Sequence, residues 1–267
     1  MDALKRGADG FQLKLFALAV MTIDHIYYFL NGPLGVPYFF TLIGRIAAPI
    51  FLFFCVEGFS YTRSKPKYLA RMYLFSVGMK FADMTLATAF PRPDHVTIMN
   101  DMFSTMFVVC WCIAGIELLR DREAGKRRWL GALMLAGMLA ATVLLVACMI
   151  TPVLPQQVMQ FSFLLLPNPF TCEGSFIWVL LGILLFYTRK SKWKTVLAMA
   201  AVVILNLGLI PVDLDVLIYF VCTFAGILPV CFYNGKPGKH RCKWLFYIYY
   251  PAHVYVLYLV SWWMLTR

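Results

Sequence analysis

Three ionisable residues interrupt two neighbouring apolar segments near the start of the chain, and they are the first candidates for chemistry. Asp24 and His25 lie together in the first segment, and Arg45 lies in the second. Ionisable side chains are costly inside a hydrocarbon layer and are usually kept there to pair or to react. An imidazole can take up and release a proton near neutrality, because its ordinary pKa is about 6.5. We therefore interpret His25, with Asp24 and Arg45, as the candidate catalytic group of a membrane enzyme.

The composition predicts an all-α integral membrane protein. The chain has 267 residues, of which 61% are hydrophobic and 14% charged, and its mean hydropathy is +0.74. Its apolar runs are about twenty residues long, the length that a helix needs to cross about 30 Å of hydrocarbon. No segment is long enough to form a separate soluble domain, so we expect one transmembrane domain over residues 1–267.

The apolar runs predict a polytopic bundle of about nine transmembrane helices. Their expected spans are 11–31, 39–62, 66–88, 98–120, 128–151, 173–188, 194–210, 214–233 and 244–265. All but four of the 24 Lys and Arg residues then lie on one side, which the positive-inside rule identifies as the cytoplasm. We expect a multi-pass protein of the plasma membrane with a cytoplasmic N-terminus and an outer C-terminus. The apolar N-terminal run is expected to be retained as the first helix.

The stretch at 152–172 is apolar, but a crossing there would move the last two basic loops outside. We expect a re-entrant or interfacial outer loop, and the sequence does not separate these two. The net charge of +11 comes from the clusters between apolar runs, so we expect lipid contacts and no nucleic-acid partner. The eight cysteines lack metal-ligand spacing, and we expect no metal site.

Further polar residues are expected near His25. Lys14 is eleven residues earlier, about three helical turns, and so lies on the same face of the first helix. Pro49 and Pro251 each remove a helical N–H, which predicts bends beside Arg45 and His253. Lys80 and Asn100 add polar groups in the outer half.

Each of these residues also has a structural interpretation. Because a short loop joins the first two antiparallel helices, Asp24 and Arg45 are expected at similar depth, where they can form an ion pair without a chemical role. His253 and Lys80 can be hydrogen-bonding partners between helices.

At these residues the sequence resembles the TraX family of membrane acetyltransferases, named for the conjugative pilin acetylase. The resemblance rests on Met21-Thr22-Ile23-Asp24-His25, Gly44-Arg45-Ile46-Ala47-Ala48-Pro49, Glu57-Gly58-Phe59, Tyr61-Thr62-Arg63, Asn100-Asp101-Met102-Phe103-Ser104 and Tyr250-Pro251-Ala252-His253. A basic residue that is separated from the intramembrane histidine by ten residues also resembles the pattern of other transmembrane acyl transferases. The helices between 128 and 233 contribute little.

The resemblance implies acetyl-CoA as donor, which enters from the cytoplasm, and an acceptor at the outer side. It does not identify the acceptor, and a processed peptide N-terminus, a glycan and a small molecule are left open. Catalysis is then expected from His25 with Asp24 and Arg45. The expected donor-binding residues are Lys14, Glu57, Arg63, Lys67, Tyr68 and Arg71, and the expected acceptor-binding residues are Lys80, Asn100, Tyr250 and His253.

Two routes and two rival functions are left open. His25 acts as general base, or it carries the acetyl group as an acetyl-histidine. The main rival is a secondary transporter, although no internal repeat supports it. Its proton or solute path would consist of Asp24, His25, Arg45, Lys80 and His253. A noncatalytic membrane partner in the assembly of a surface structure is the other.

Overall fold

The computed structural model describes residues 7–99, 101–151, 155–238 and 243–267. These ranges are helical apart from connecting loops and a short 3-10 turn at Arg122–Ala124, and none of them contains a strand. The helices are α1 (Gly10–Leu34), α2 (Phe39–Gly44), α3 (Ala47–Tyr61), α4 (Lys65–Ala89), α5 (Met102–Arg120), α6 (Arg127–Ile150), α7 (Gln156–Leu165), α8 (Ser175–Thr188), α9 (Lys192–Leu207), α10 (Leu214–Ala225), α11 (Ile227–Cys231) and α12 (Lys243–Thr266).

Five helical segments in the described ranges are long and apolar enough to cross a membrane. They are Gly10–Leu34, Phe39–Tyr61, Met102–Arg120, Arg127–Ile150 and Leu214–Cys231. This supports the predicted membrane protein and its all-helical fold. Helix is present in all nine predicted segments, but α8, for example, has only 14 residues. The number of crossings and the orientation therefore stay predictions.

The apolar stretch at 152–172 contains a short helix. Residues 152–154 lie outside the described ranges, and α7 follows with ten residues, none of them buried. A helix of that length spans about 15 Å, half of the hydrocarbon layer. The length of α7 agrees with a segment that does not cross the membrane. It fits a re-entrant loop and an interfacial loop equally well.

The chain forms two compact units. The first comprises Met1–Cys55, Thr85–Ile98 and Thr188–Arg267, and the second comprises Val56–Met84 and Met99–Tyr187. Within the first, α1 packs against α2 and α12, and α9 and α10 pack together. Within the second, the main contact joins α5 and α6.

Helices α1 and α12 run parallel along the first unit. Phe11 faces Phe246 near their starts, and Phe29 faces Tyr258 further along, with ring centroids 6.2 and 6.0 Å apart. The described N-terminal backbone also bonds to the segment after α11, since the Ala8 N–H donates to the Phe232 carbonyl at 2.9 Å. Two helices that start at the same end bring His25 and His253 to the same level.

The C-terminal end of α1 is held by a buried arginine in the loop after α4. Pro33 lies inside α1 and has no N–H, so the carbonyl of Phe29 loses its helical donor. The Nη1 atom of Arg92 donates to this carbonyl at 3.0 Å, and also to Ser261 of α12. The same guanidinium donates to the Asp94 carboxylate, with Nε at 2.9 Å from Oδ1. Arg92 therefore ties α1, the loop and α12 together.

The predicted break beside Pro49 is present. Helix α2 ends at Gly44 and α3 begins at Ala47, so the chain turns at Arg45 and Ile46. The matching break between α10 and α11 lies against it, because a Cβ at Gly226 would overlap the Ile46 carbonyl oxygen. At Pro251, by contrast, α12 continues without interruption.

Candidate functional site

The first and last helices bring two histidines into direct contact. His25 is buried, with 4% of its surface exposed. Its Nδ1 atom lies 2.6 Å from Nε2 of His253, and the two rings are stacked with centroids 4.8 Å apart. Tyr250 lies beside both rings, at 6.4 Å from His25 and 5.9 Å from His253. The sequence predicted a catalytic role for His25 and acceptor binding for Tyr250 and His253, and the structure brings the three residues together.

Tyr249, which the sequence did not single out, holds this pair from α12. Its carbonyl oxygen lies 2.8 Å from Nδ1 of His253, and its ring stacks on the same imidazole at 5.0 Å. Its hydroxyl lies 2.8 Å from Oγ1 of Thr22, which donates to the Leu18 carbonyl. The hydroxyl of Tyr249 is thus the donor to Thr22, and it joins α12 to α1 one turn before His25. Its position among several tyrosines gave no sequence signal.

Asp24 and Arg45 form the predicted ion pair. Nη2 of Arg45 contacts Oδ2 of Asp24, and the Thr41 hydroxyl donates to Oδ1 at 2.5 Å. Nη1 of Arg45 donates to the hydroxyl of Tyr219 at 3.1 Å, and the guanidinium lies 5.2 Å from that ring. The pair therefore joins α1, the α2–α3 break and α10. The described partner of His25 Nδ1 is His253, whereas the described bonds of the Asp24 carboxylate go to Thr41 and Arg45.

Gly44 explains how α2 approaches Asp24. A Cβ at this position would overlap the Asp24 side chain, so only glycine allows the two helices to meet here. Gly44 immediately precedes Arg45, and its absence of a side chain lets the arginine reach across to α1. The Gly44-Arg45 sequence is therefore a packing requirement of the ion pair.

Lys14 lies among aromatic rings three turns below His25. Its Nζ atom is 4.7 Å from the ring centroid of Phe246 and 5.8 Å from that of Phe54. These rings belong to α12 and α3, so a half-buried cation lies between three helices of the first unit. Such contacts stabilise an ammonium group by about 0.5–2 kcal/mol.

The other predicted donor-binding residues lie in the second unit. Arg63 is exposed in the turn between α3 and α4, and Lys67 is exposed in the first turn of α4. Glu57 is half-buried near the end of α3. Tyr68 packs on Phe59 with ring centroids 5.5 Å apart. The guanidinium of Arg71 lies over the ring of Tyr68, 5.6 Å from its centroid. The geometry leaves their assignment to acetyl-CoA a prediction.

Lys80 belongs to a separate polar cluster of the second unit. Its Nζ atom lies 3.6 Å from Oδ2 of Asp101 and 3.1 Å from the carbonyl of Phe163. The Ser76 hydroxyl donates to the same Asp101 oxygen at 3.0 Å. Asp101 also caps α5 through the Ser104 N–H. Asn100 lies outside the described residues, so its predicted role beside Lys80 stays a prediction.

The comparisons with known proteins agree with the resemblance found in the sequence. The model of the TraX protein family matches residues 9–261. A probable fimbrial assembly protein of Dichelobacter nodosus, FimC of serogroup H1, is 27% identical over 259 residues, which cover 93% of this chain and 94% of the relative. No solved structure matches the chain. Because the family match includes both histidines and the Asp24–Arg45 pair and spans nearly the whole chain, the protein belongs to the TraX family.

Proposed function

We propose that the protein is a membrane-embedded acetyltransferase in which His25 is the general base. It moves an acetyl group from cytoplasmic acetyl-CoA to an amine or hydroxyl of an acceptor at the outer side of the plasma membrane. The observation that carries the proposal is the contact between the buried imidazole of His25 and that of His253. A base must be held in one orientation to take a proton from a bound nucleophile, and a second group that fixes its ring supplies this.

The neighbouring ion pair supports the same proposal. Asp24 directly precedes His25 in α1, and its carboxylate is neutralised by Arg45. An uncompensated carboxylate beside the imidazole would favour a protonated ring, which cannot act as a base. In the proposed enzyme, the pair therefore keeps charge balanced around His25 without occupying its ring nitrogens.

The chemistry balances without a metal or a redox partner. The acceptor nitrogen or oxygen attacks the thioester carbonyl while His25 takes its proton. The tetrahedral intermediate then collapses, the carbon–sulfur bond breaks, and an amide or ester remains. The imidazolium returns its proton to the leaving CoA thiolate, so His25 ends the cycle neutral.

The donor is proposed to follow the Lys14 face of α1. Lys14 and His25 are about 16 Å apart along the helix axis, at 1.5 Å per residue. An extended pantetheine arm is of comparable length to this half-bilayer distance. The cationic groups of Arg63, Lys67 and Arg71, with Glu57 and Tyr68 near them, are proposed to hold the nucleotide, since phosphates favour Arg and Lys.

The acceptor class draws on the relative. Its name, a probable fimbrial assembly protein, favours a processed pilin-like subunit with a free N-terminal amine as the first acceptor to test. A surface glycan and a small metabolite are the other two classes to test. Lys80, Asn100 and Tyr250 are proposed to contact the acceptor.

The test supplies acetyl-CoA labelled in its acetyl group to membranes that contain the protein, the His25→Ala variant or neither. We expect labelled product only with the unchanged protein, and mass spectrometry of that product identifies the acceptor. Binding of acetyl-CoA to the detergent-solubilised protein separates an enzyme from a transporter of small solutes. Equal labelling in all three membranes, or no acetyl-CoA binding, would reject the proposal.

A further inference from the structure

We infer that His253 is a positioning residue that sets the tautomer of His25, with the proton on Nδ1 and the lone pair on Nε2. The inference rests on the proposed function for its catalytic meaning, since it identifies Nε2 as the atom that takes the proton. The tautomer itself follows from hydrogen bonding alone.

The carbonyl of Tyr249 determines which nitrogen of His253 carries a proton. This oxygen can only accept, and it lies 2.8 Å from Nδ1 of His253, so Nδ1 of His253 carries a proton. A neutral imidazole has one N–H, which makes Nε2 of His253 an acceptor. Two stacked buried rings favour the neutral forms, because charging either ring in this apolar site is costly.

The acceptor on His253 then defines His25. Nε2 of His253 is 2.6 Å from Nδ1 of His25, and a hydrogen bond at this distance requires a donor. Nδ1 of His25 therefore carries the proton, and Nε2 of His25 carries the lone pair. The two hydrogen bonds therefore run in one direction: His25 donates to His253, and His253 donates to the carbonyl of Tyr249.

The local structure keeps this order in place. Tyr249 and His253 are one helical turn apart on α12, so the first hydrogen bond is formed within a single helix. The ring of Tyr249 stacks on His253, and its hydroxyl donates to Thr22 of α1. The bond between the two histidines is thus supported on both helices, and the imidazole of His253 has little freedom to rotate.

The role differs from the one predicted for His253 from the sequence, which was binding of the acceptor. A residue that binds the acceptor affects the KM of the acceptor. A residue that sets the tautomer of His25 affects the rate at saturating substrate, because the molecules with the wrong tautomer do not react. In a Ser-His-Asp triad, loss of the group that sets the histidine tautomer lowers the rate by several orders of magnitude.

The test measures the ring nitrogens directly. The full chain is produced with ¹⁵N-labelled histidine and placed in lipid nanodiscs, where NMR distinguishes protonated from unprotonated ring nitrogens. The chain has four histidines, and His25→Ala and His253→Leu assign the two in question. We expect a protonated Nδ1 and an unprotonated Nε2 for His25.

Substitutions at His253 test the cause. In His253→Leu, the hydrogen-bond acceptor is lost, so His25 is expected to show both tautomers. The transfer rate at saturating acetyl-CoA is expected to fall at least tenfold, with an unchanged KM for the acceptor that the labelling experiment identifies. In His253→Gln, the side-chain carbonyl is expected to accept from Nδ1 and restore most of both signals. Tyr249→Phe keeps the backbone carbonyl and is expected to keep the tautomer.

Two results would overturn the inference. One is a proton on Nε2 of His25 in the unchanged protein, and the other is a single unchanged tautomer in His253→Leu. Failure of the proposed function is a different result, because the tautomer is measured without any transfer. A chain that shows the expected tautomer and transfers no acetyl group would retain the inference about ring orientation and lose the enzyme.

Discussion

Two arginine–aspartate pairs in the first compact unit have the same chemistry and different surroundings. Arg92 and Asp94 are two residues apart in one loop, and the side chain of Arg92 is only 1% exposed. Arg45 and Asp24 lie on different helices, and the side chain of Arg45 is 28% exposed. The ion pair alone does not distinguish them, so the other contacts of each guanidinium must.

Those contacts point to two roles. Arg92 donates to the Phe29 carbonyl that Pro33 has freed and to Ser261, which in turn donates to the Tyr258 carbonyl. These bonds satisfy backbone and join segments, as a structural clamp does. Arg45 donates to Tyr219 and to a carboxylate whose neighbour in sequence is His25. A buried charge pair is therefore a candidate for function here only where it adjoins a group that can react.

The largest expected effect is the loss of acetyl transfer when His25 is replaced. This imidazole adjoins the Asp24–Arg45 pair and not the Arg92–Asp94 pair. His25→Ala is expected to lower acetyl transfer at least about 100-fold, since general-base catalysis contributes about 10²–10⁴-fold. Folding and insertion are expected to be retained, because a smaller apolar side chain is acceptable in this site. The measurement is transfer from labelled acetyl-CoA by equal amounts of inserted protein.

The control for this variant is His95→Asn. His95 is exposed in the loop after α4 and has a positive φ of 58°, which asparagine tolerates. It removes an imidazole from the same unit without touching the site, and transfer is expected to stay normal. Substantial acetylation by purified His25→Ala protein would remove His25 from the mechanism.

The next effect is expected at the structural pair. Arg92→Met leaves the Phe29 carbonyl and Ser261 without their donor and is expected to lower the free energy of unfolding by about 3 kcal/mol. Transfer per folded molecule is expected to stay near normal. The thermal unfolding midpoint in detergent measures the loss, and exposed Arg122→Met is the matched control. A variant of normal stability that transfers no acetyl group would reverse the comparison between the two pairs.

A smaller loss of stability and a loss of transfer are expected together at Arg45. Arg45→Ala leaves the Asp24 carboxylate unpaired, which is expected to cost about 1–3 kcal/mol of stability and to lower transfer about tenfold. Adding Asp24→Asn removes the unpaired charge and is expected to recover much of the stability but not the transfer. A stable, fully active Arg45→Ala protein would show that the pairing is incidental.

The sequence was sufficient for the features that depend on neighbouring segments. Apolar length predicted the helices, Pro49 predicted the break after Gly44, and the short loop between two antiparallel helices predicted that Asp24 and Arg45 meet. Each follows from helical geometry over a few turns. The number of membrane crossings was harder to predict from the sequence, since α8 and α9 are shorter than a full transmembrane span.

The sequence did not predict contacts between distant segments. His25 and His253 are 228 residues apart, and helical periodicity does not determine which helices pack together. Arg92 looked like an ordinary loop residue, although Pro33 offered a signal: a proline within a helix frees a carbonyl that needs a donor. Tyr249 gave none, because its main bond to His253 uses a backbone carbonyl that any residue has.

The smallest expected effect concerns the acid of the structural pair. The Arg92 guanidinium, which donates to the Asp94 carboxylate, holds the pKa of Asp94 below its ordinary value. A carboxyl whose pKa is lower in the folded state stabilises the fold above its unfolded pKa of about 3.9 and loses that contribution as pH falls through the folded value. Asp94→Asn is therefore expected to lower stability by up to about 1 kcal/mol at pH 7, because the pair is partly exposed.

The pH dependence of this variant separates the charge from the packing. The difference in unfolding midpoint between Asp94→Asn and the unchanged protein is expected to stay constant from pH 7 to about pH 5 and to shrink below about pH 4, where the wild-type carboxyl also becomes neutral. A difference that persists undiminished at pH 3 would mean that Arg92 is held by its bonds to Phe29 and Ser261, and that Asp94 contributes to the clamp without its charge.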